Sequence, residues 1–125
     1  MSANFVKINK ALAQLKAATS KEPANDLERD GAIQRFEYTI EMLWKLAKVV
    51  LAENGVQAIA PKDVIRELAN IGWINNPQTF IDYLLMRNES SHSYKEEIAK
   101  KVYAAAQNFT SDCEILIDTL KKKST

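Results

Sequence analysis

Residues 87 to 94 read Arg-Asn-Glu-Ser-Ser-His-Ser-Tyr and contain the only histidine of the chain, His92. Histidine gives and takes protons near neutral pH, and arginine holds a permanent planar positive charge suited to phosphate oxygens. Together they fit one reaction well. Cleavage of RNA by its own 2'-hydroxyl needs proton transfer and positive charge on a phosphorane. One histidine is awkward for that work, since acid and base roles on a phosphodiester are better served by two. A two-fold dimer with both copies of the segment across one groove would supply the second. The same residue types also fit a plain solvated helix cap, and composition does not decide between the two readings.

Arg87 and His92 cannot share a face of one continuous helix, because five residues advance it by about 500°, well past a whole turn. The chain must bend between them. Asn88, Glu89, Ser90 and Ser91 are poor helix material, and Ser93 with Glu96 three places on has the pattern of a capping box for a following helix. The expectation is Arg87 at the end of one helix and His92 and Tyr94 at the start of the next, where free amides and the positive dipole end favour a phosphate.

The elements that must position this segment follow from apolar spacing. Phe5, Ile8, Leu12 and Leu15 form a stripe on a helix over residues 3–19, which "SKEPAND" breaks. Asn25 and Glu28 can cap a second helix in which Ile33, Phe36, Ile40, Leu43, Ala47 and Val50 repeat as far as Gly55, a length of about 40 Å. Gly31 near its start suggests close packing against another backbone. Pro61 opens a short helix carrying Val64, Ile65 and Leu68, and Gly72 suits its left-handed end. Asn76 as cap and Pro77 at the first position start a helix with Phe80, Tyr83, Leu84 and Arg87 on one side. Ile98, Val102, Ala105, Phe109, Cys113, Leu116 and Leu120 mark the last helix, and Lys121 to Lys123 suit its C-terminus. Strand alternation and repeats are absent, so the fold class is all-α: an antiparallel four-helix up-and-down bundle with an additional short helix, in one domain spanning residues 1–125.

With 17 basic and 16 acidic residues the net charge is +1, so no global field draws the chain onto nucleic acid, and an RNA role must rest on a local site or a partner. Cys113 is alone, which rules out an internal disulfide; no Cys/His cluster offers a metal site and no cofactor is indicated. Lysines interrupt the opening residues, so neither a signal peptide nor a membrane span is expected, and the setting read from this is cytoplasmic.

The segment at 87 to 94 also resembles the Arg, four to six residues, His signature of HEPN ribonucleases, with the His-x-Tyr ending of the HepT branch, often called nucleotidyltransferase substrate-binding proteins. "RDGAIQRFEYTIEMLWK" at 29–45 and "APKDVIRELANIGWI" at 60–74 are similar to the same branch. The resemblance implies a homodimeric toxin that cuts RNA without metal, paired with a small cognate nucleotidyltransferase antitoxin of the MNT type. In that role Arg87 would stabilise the phosphorane, His92 would move protons, Asn88 would orient the site, and Tyr94 would accept AMP from the antitoxin. An AMP group two residues from His92 would exclude an RNA phosphate by charge and bulk. Glu37, Glu41 and Trp44 fall on one side of the long helix with Lys45 four after Glu41; they read as a surface ion-pair row beside the core or as contacts to the groove or the antitoxin. The rival functions are a non-enzymatic subunit presenting a substrate to a separate nucleotidyltransferase and a plain helical dimerisation module.

Overall fold

The computed structural model describes residues 3–125. In chain order it contains α1 (Val6–Thr19), α2 (Asp26–Glu53), α3 (Pro61–Asn70), α4 (Pro77–Glu89), one 3-10 turn (Ser90–His92) and α5 (Glu96–Lys123). There is no strand among the described residues, and none of their helices is long and apolar enough to cross a membrane.

Local chemistry sets most boundaries. The Asn25 side chain accepts from the Glu28 N–H at 2.9 Å, and the Glu28 carboxylate reaches back to accept from the Ala24 N–H at 2.8 Å. Two of the free donors of α2 and its approach are thereby used. Gly55 and Gly72 follow α2 and α3 with φ of 80° and 78°, a region that costs glycine nothing and any residue with a Cβ a clash. Pro61 and Pro77 stand at the first helical positions. Two expectations need correction. Asn76 makes no side-chain cap bond, because its backbone (ψ 58°) is not in the extended form that aims a cap at the first turn. Gly31 packs against nothing, since a Cβ there would have no neighbour within 4 Å.

Long-range contacts give the helix directions. Arg29 meets Glu96 near the starts of α2 and α5, Phe36 meets Phe109 further along, and Asn54 just past the end of α2 donates to the Lys123 carbonyl. These two 28-residue helices therefore run parallel. Ala3, ahead of α1, donates to Glu53, while the Lys21 carbonyl beyond α1 accepts from Tyr103, so α1 runs against both. Ser90, just past α4, lies against Glu37, and Arg87, one turn back on α4, lies against Glu41, so α4 runs against α2 and therefore against α5, which Tyr83 meets by donating to Asp112. The order up, down, up, down results, with α3 inserted before α4.

Phe36, Phe109 and Tyr83 form an edge-to-face chain with centroid spacings of 5.3 and 5.1 Å, joining α2, α5 and α4. The expected stripes of α1, α2, α3 and α5 face this core; Phe5, Ile98 and Ala105 lie at its margin. Burying one such large side chain contributes about 1.5–3 kcal/mol, against well under about 1 for an exposed pair such as Lys16–Glu114. Packing, not surface charge, fixes the register that brings α2 to the end of α4.

Candidate functional site

The bend expected between Arg87 and His92 is present: α4 stops at Glu89, and Ser90–His92 tighten into a 3-10 turn. The predicted Ser93–Glu96 capping box is not. Ser93 keeps helical backbone angles (φ −68°, ψ −8°), and its N–H donates to the Ser90 carbonyl at 3.1 Å, while the Lys95 N–H donates to the His92 carbonyl at 3.0 Å. A capping side chain needs an extended backbone, which here falls at Lys95, a residue without a capping oxygen. Tyr94 accordingly stands in the turn ahead of α5, not in its first helical turn.

The turn is gripped from behind by α2. Ser90 is only 4% exposed, and its hydroxyl donates to the Glu37 carboxylate and lies 2.6 Å from the Arg87 carbonyl. One helical turn further along α2, Glu41 Oε1 lies 3.6 Å from Arg87 Nε and Oε2 lies 3.9 Å from Lys45 Nζ. Steps of four along α2 and three back along α4 thus match two carboxylates to two positions of the Arg/His segment, as antiparallel neighbours allow. At 3.6 Å the Glu41 pair attracts without a hydrogen bond, and the buried Arg87 Nε has no partner among the described residues. The guanidinium is oriented by charge while its donors stay uncommitted, a state suited to receiving phosphate oxygens.

Beyond the turn, His92 is exposed and its ring meets Tyr94 edge-on at a 6.0 Å centroid distance. Tyr94 is 77% exposed, with Lys95 Nζ 6.0 Å over its ring. Asn88 is exposed beside Arg87. The start of α5 is anchored by Arg29, whose guanidinium donates to Glu96 at 2.8 Å. That bond holds the Glu96 carboxyl below its ordinary range, with the nearby Arg29 and Lys100 charges adding to it, and pushes the Arg29 pKa up.

Of the residues singled out on α2, Glu37 and Glu41 reach the segment. Trp44 instead packs partly buried against the core, lining a narrow cleft with Leu43 and Phe80, and Lys45 covers its ring at 5.8 Å. Ser90 escaped the sequence reading. Its signal was present: a serine three places after Arg87 can join the inner face of α4, but only the register with Glu37 reveals it. No group of three His, Cys, Asp or Glu among the described residues could hold a metal ion.

A helical bundle with an additional short helix, carrying an Arg-to-His turn between its last two helices, defines the class. A family model described as nucleotidyltransferase substrate binding protein like matches residues 3–122, and the chain belongs to that family. One relative, from Haemophilus influenzae, is named probable ribonuclease HepT; it is 32% identical over 99 residues, which is 75% of this chain and 68% of that protein. A crystal structure of a Thermus thermophilus protein superposes with a TM-score of 0.86 at 32% identity, covering 90% of this chain and 98% of that one. A Haemophilus influenzae structure, described as revealing the fold of a substrate binding domain of a nucleotidyltransferase, gives 0.83 at 28% identity, over 94% and 99% of the two chains.

Proposed function

We propose that this protein is a metal-independent endoribonuclease acting as the toxin of a toxin-antitoxin pair in the cytoplasm. The observation that carries the reading is the Arg87–His92 turn, held by Glu37 and Glu41 with an uncommitted guanidinium on one side and an exposed imidazole on the other. The name of the Haemophilus influenzae relative, probable ribonuclease HepT, points the same way.

In this reaction the 2'-oxygen attacks the adjacent phosphorus and the bond to the 5'-oxygen breaks, leaving a 2',3'-cyclic phosphate and a 5'-hydroxyl. One His92 takes the 2'-hydroxyl proton, and the His92 of a second copy gives one to the leaving oxygen. Arg87 balances the charge that builds on the phosphorane, and Asn88 orients the phosphate. A homodimer is therefore part of the proposal; a monomer by light scattering that still cleaves RNA contradicts it.

Regulation would act at Tyr94. Its phenolic oxygen attacks the α-phosphorus of ATP in a cognate nucleotidyltransferase, pyrophosphate leaves, and a base of that enzyme takes the phenol proton. The added phosphate then stands two residues from His92. Cleavage of RNA in EDTA by wild type, with loss in Arg87→Ala and His92→Ala variants of unchanged helicity, tests the catalytic part. The family description favours a second reading, a non-enzymatic subunit that presents a substrate to a nucleotidyltransferase. Equal and negligible cleavage by wild type and His92→Ala, with a nucleotidyltransferase complex formed by both, selects it.

A further inference from the structure

A hollow of about 280 Å³ opens between the start of α3 and the end of α4, next to Arg87. Ala60, Pro61 and Leu84 give it apolar walls; Lys62 and Arg87 bring two positive charges, and Glu41 and Asn88 complete the lining. We propose that it is a nucleotide subsite for RNA, resting on the ribonuclease reading above, in which a base flanking the cut lies against Pro61 and Leu84 and Lys62 holds the phosphate next to the one at Arg87.

Three observations support the assignment. The first is charge. Lys62 is exposed and has no carboxylate within 4.0 Å among the described residues, because its neighbour Asp63 turns to Arg66 at 3.7 Å. Arg87 differs in having Glu41 3.6 Å from its Nε, but it makes no hydrogen bond there, and that one carboxylate of the lining is shared between Arg87 and Lys45. The lining carries a surplus positive charge with free donors, which suits an anion more than a neutral ligand.

The second is shape. The volume falls just below the roughly 300 Å³ at which small-molecule pockets begin, enough for one flat base with its phosphates left at the rim. Apolar walls favour the faces of a base, which pack on side chains whatever their sequence. The third is the polar rim. A carboxylate such as that of Glu41 can only accept hydrogen bonds, whereas the Asn88 amide both donates and accepts. A base with an exocyclic amino group is matched by that pair. Uracil is matched as well, its N–H donating to the carboxylate and a carbonyl accepting from the amide, so the rim can hold the edge of a base without selecting one.

The same phosphate chemistry could come from a free nucleotide, so the test compares both sources. Binding of a 2'-O-methylated, uncleavable RNA hexamer and of AMP is measured by fluorescence anisotropy and by competition over a series of salt concentrations, for wild type, Lys62→Ala and Ala60→Trp. Lys62→Ala is expected to weaken the hexamer about fivefold and to flatten the slope of log Kd against log salt by about 0.7, the loss of one single-strand phosphate contact. Ala60→Trp, which fills an exposed wall of the hollow, weakens the hexamer with the slope unchanged. Lys62→Ala binding within twofold of wild type with the same slope overturns the subsite. AMP binding as tightly as the hexamer, and suffering equally in Lys62→Ala, overturns its assignment to RNA. Cleavage is scored separately: a wild type that binds in this pattern but does not cut removes the reaction and keeps the subsite, whereas cutting with no effect of Lys62→Ala does the reverse.

Discussion

Removing the Ser90 hydroxyl breaks the grip of α2 on the Arg/His turn, and the cost can be worked from its partners. The hydroxyl has one hydrogen facing two acceptors, the Glu37 carboxylate and the Arg87 carbonyl at 2.6 Å, on a residue only 4% exposed. A hydrogen bond to a charged group contributes about 1.5–3 kcal/mol; Glu37 is half-buried and regains water, so Ser90→Ala should cost about 1.5 kcal/mol. For a chain of 125 residues that lowers Tm by about 6 °C. Glu37→Ala should cost less, about 1 kcal/mol, because the hydroxyl still has the Arg87 carbonyl and no buried donor is stranded. The double variant should then lose about 1 kcal/mol less than the sum of the two. Urea unfolding followed by far-UV circular dichroism measures all four proteins. Because His92 is the only histidine, its ring C–H resonance reports the turn directly, and it should move in both single variants. Additivity within about 0.3 kcal/mol, with that resonance unmoved, would refute the grip.

Further predictions concern Tyr94, Glu96 and Cys113. Tyr94→Phe keeps the ring and loses the acceptor oxygen, so it should still cleave RNA yet gain no AMP by intact mass when its nucleotidyltransferase and ATP are present; a persistent mass increase places the modification elsewhere. Glu96 is held below its ordinary pKa of 4.5 in the folded state by the Arg29 hydrogen bond. Its contribution is therefore present above that value and lost as the pH falls through the lower folded one. The Tm advantage of wild type over Glu96→Gln should stand at pH 7 and shrink as the pH drops below 4.5; an advantage unchanged at pH 3 contradicts the pair. Burial pushes the Cys113 thiol up to about 12, so native protein at pH 8 should react with a thiol reagent only as fast as it unfolds, and immediate labelling would show that α5 is open there.

Features set by neighbours in the chain were legible in the sequence. The Phe36 and Phe109 stripes, the Asn25 cap and the turns at Gly55 and Gly72 each follow from spacing or a backbone preference that acts over a few residues. Short-range rules also misled where two outcomes were locally possible. Ser93 could have capped α5, but its N–H was already drawn into the turn by Ser90, and the helix starts later. Gly31 carried no packing partner that its type alone could disclose. The site was half visible: Arg87, His92 and Tyr94 stand in one segment, while Glu37 and Ser90, 53 residues apart, meet only through the register of α2 with α4. Lys62 belongs to the same category, since nothing near it in sequence marks it as a neighbour of Arg87.

The central claim is that Arg87 and His92 form a working ribonuclease site. Mass analysis of RNA ends after incubation in EDTA tests it most directly. Wild type should leave 2',3'-cyclic phosphate and 5'-hydroxyl ends, and His92→Ala prepared identically should leave the RNA intact. Ends of that kind produced equally by His92→Ala, or no cleavage by wild type shown by intact mass to be unmodified and purified without a bound partner, would contradict it.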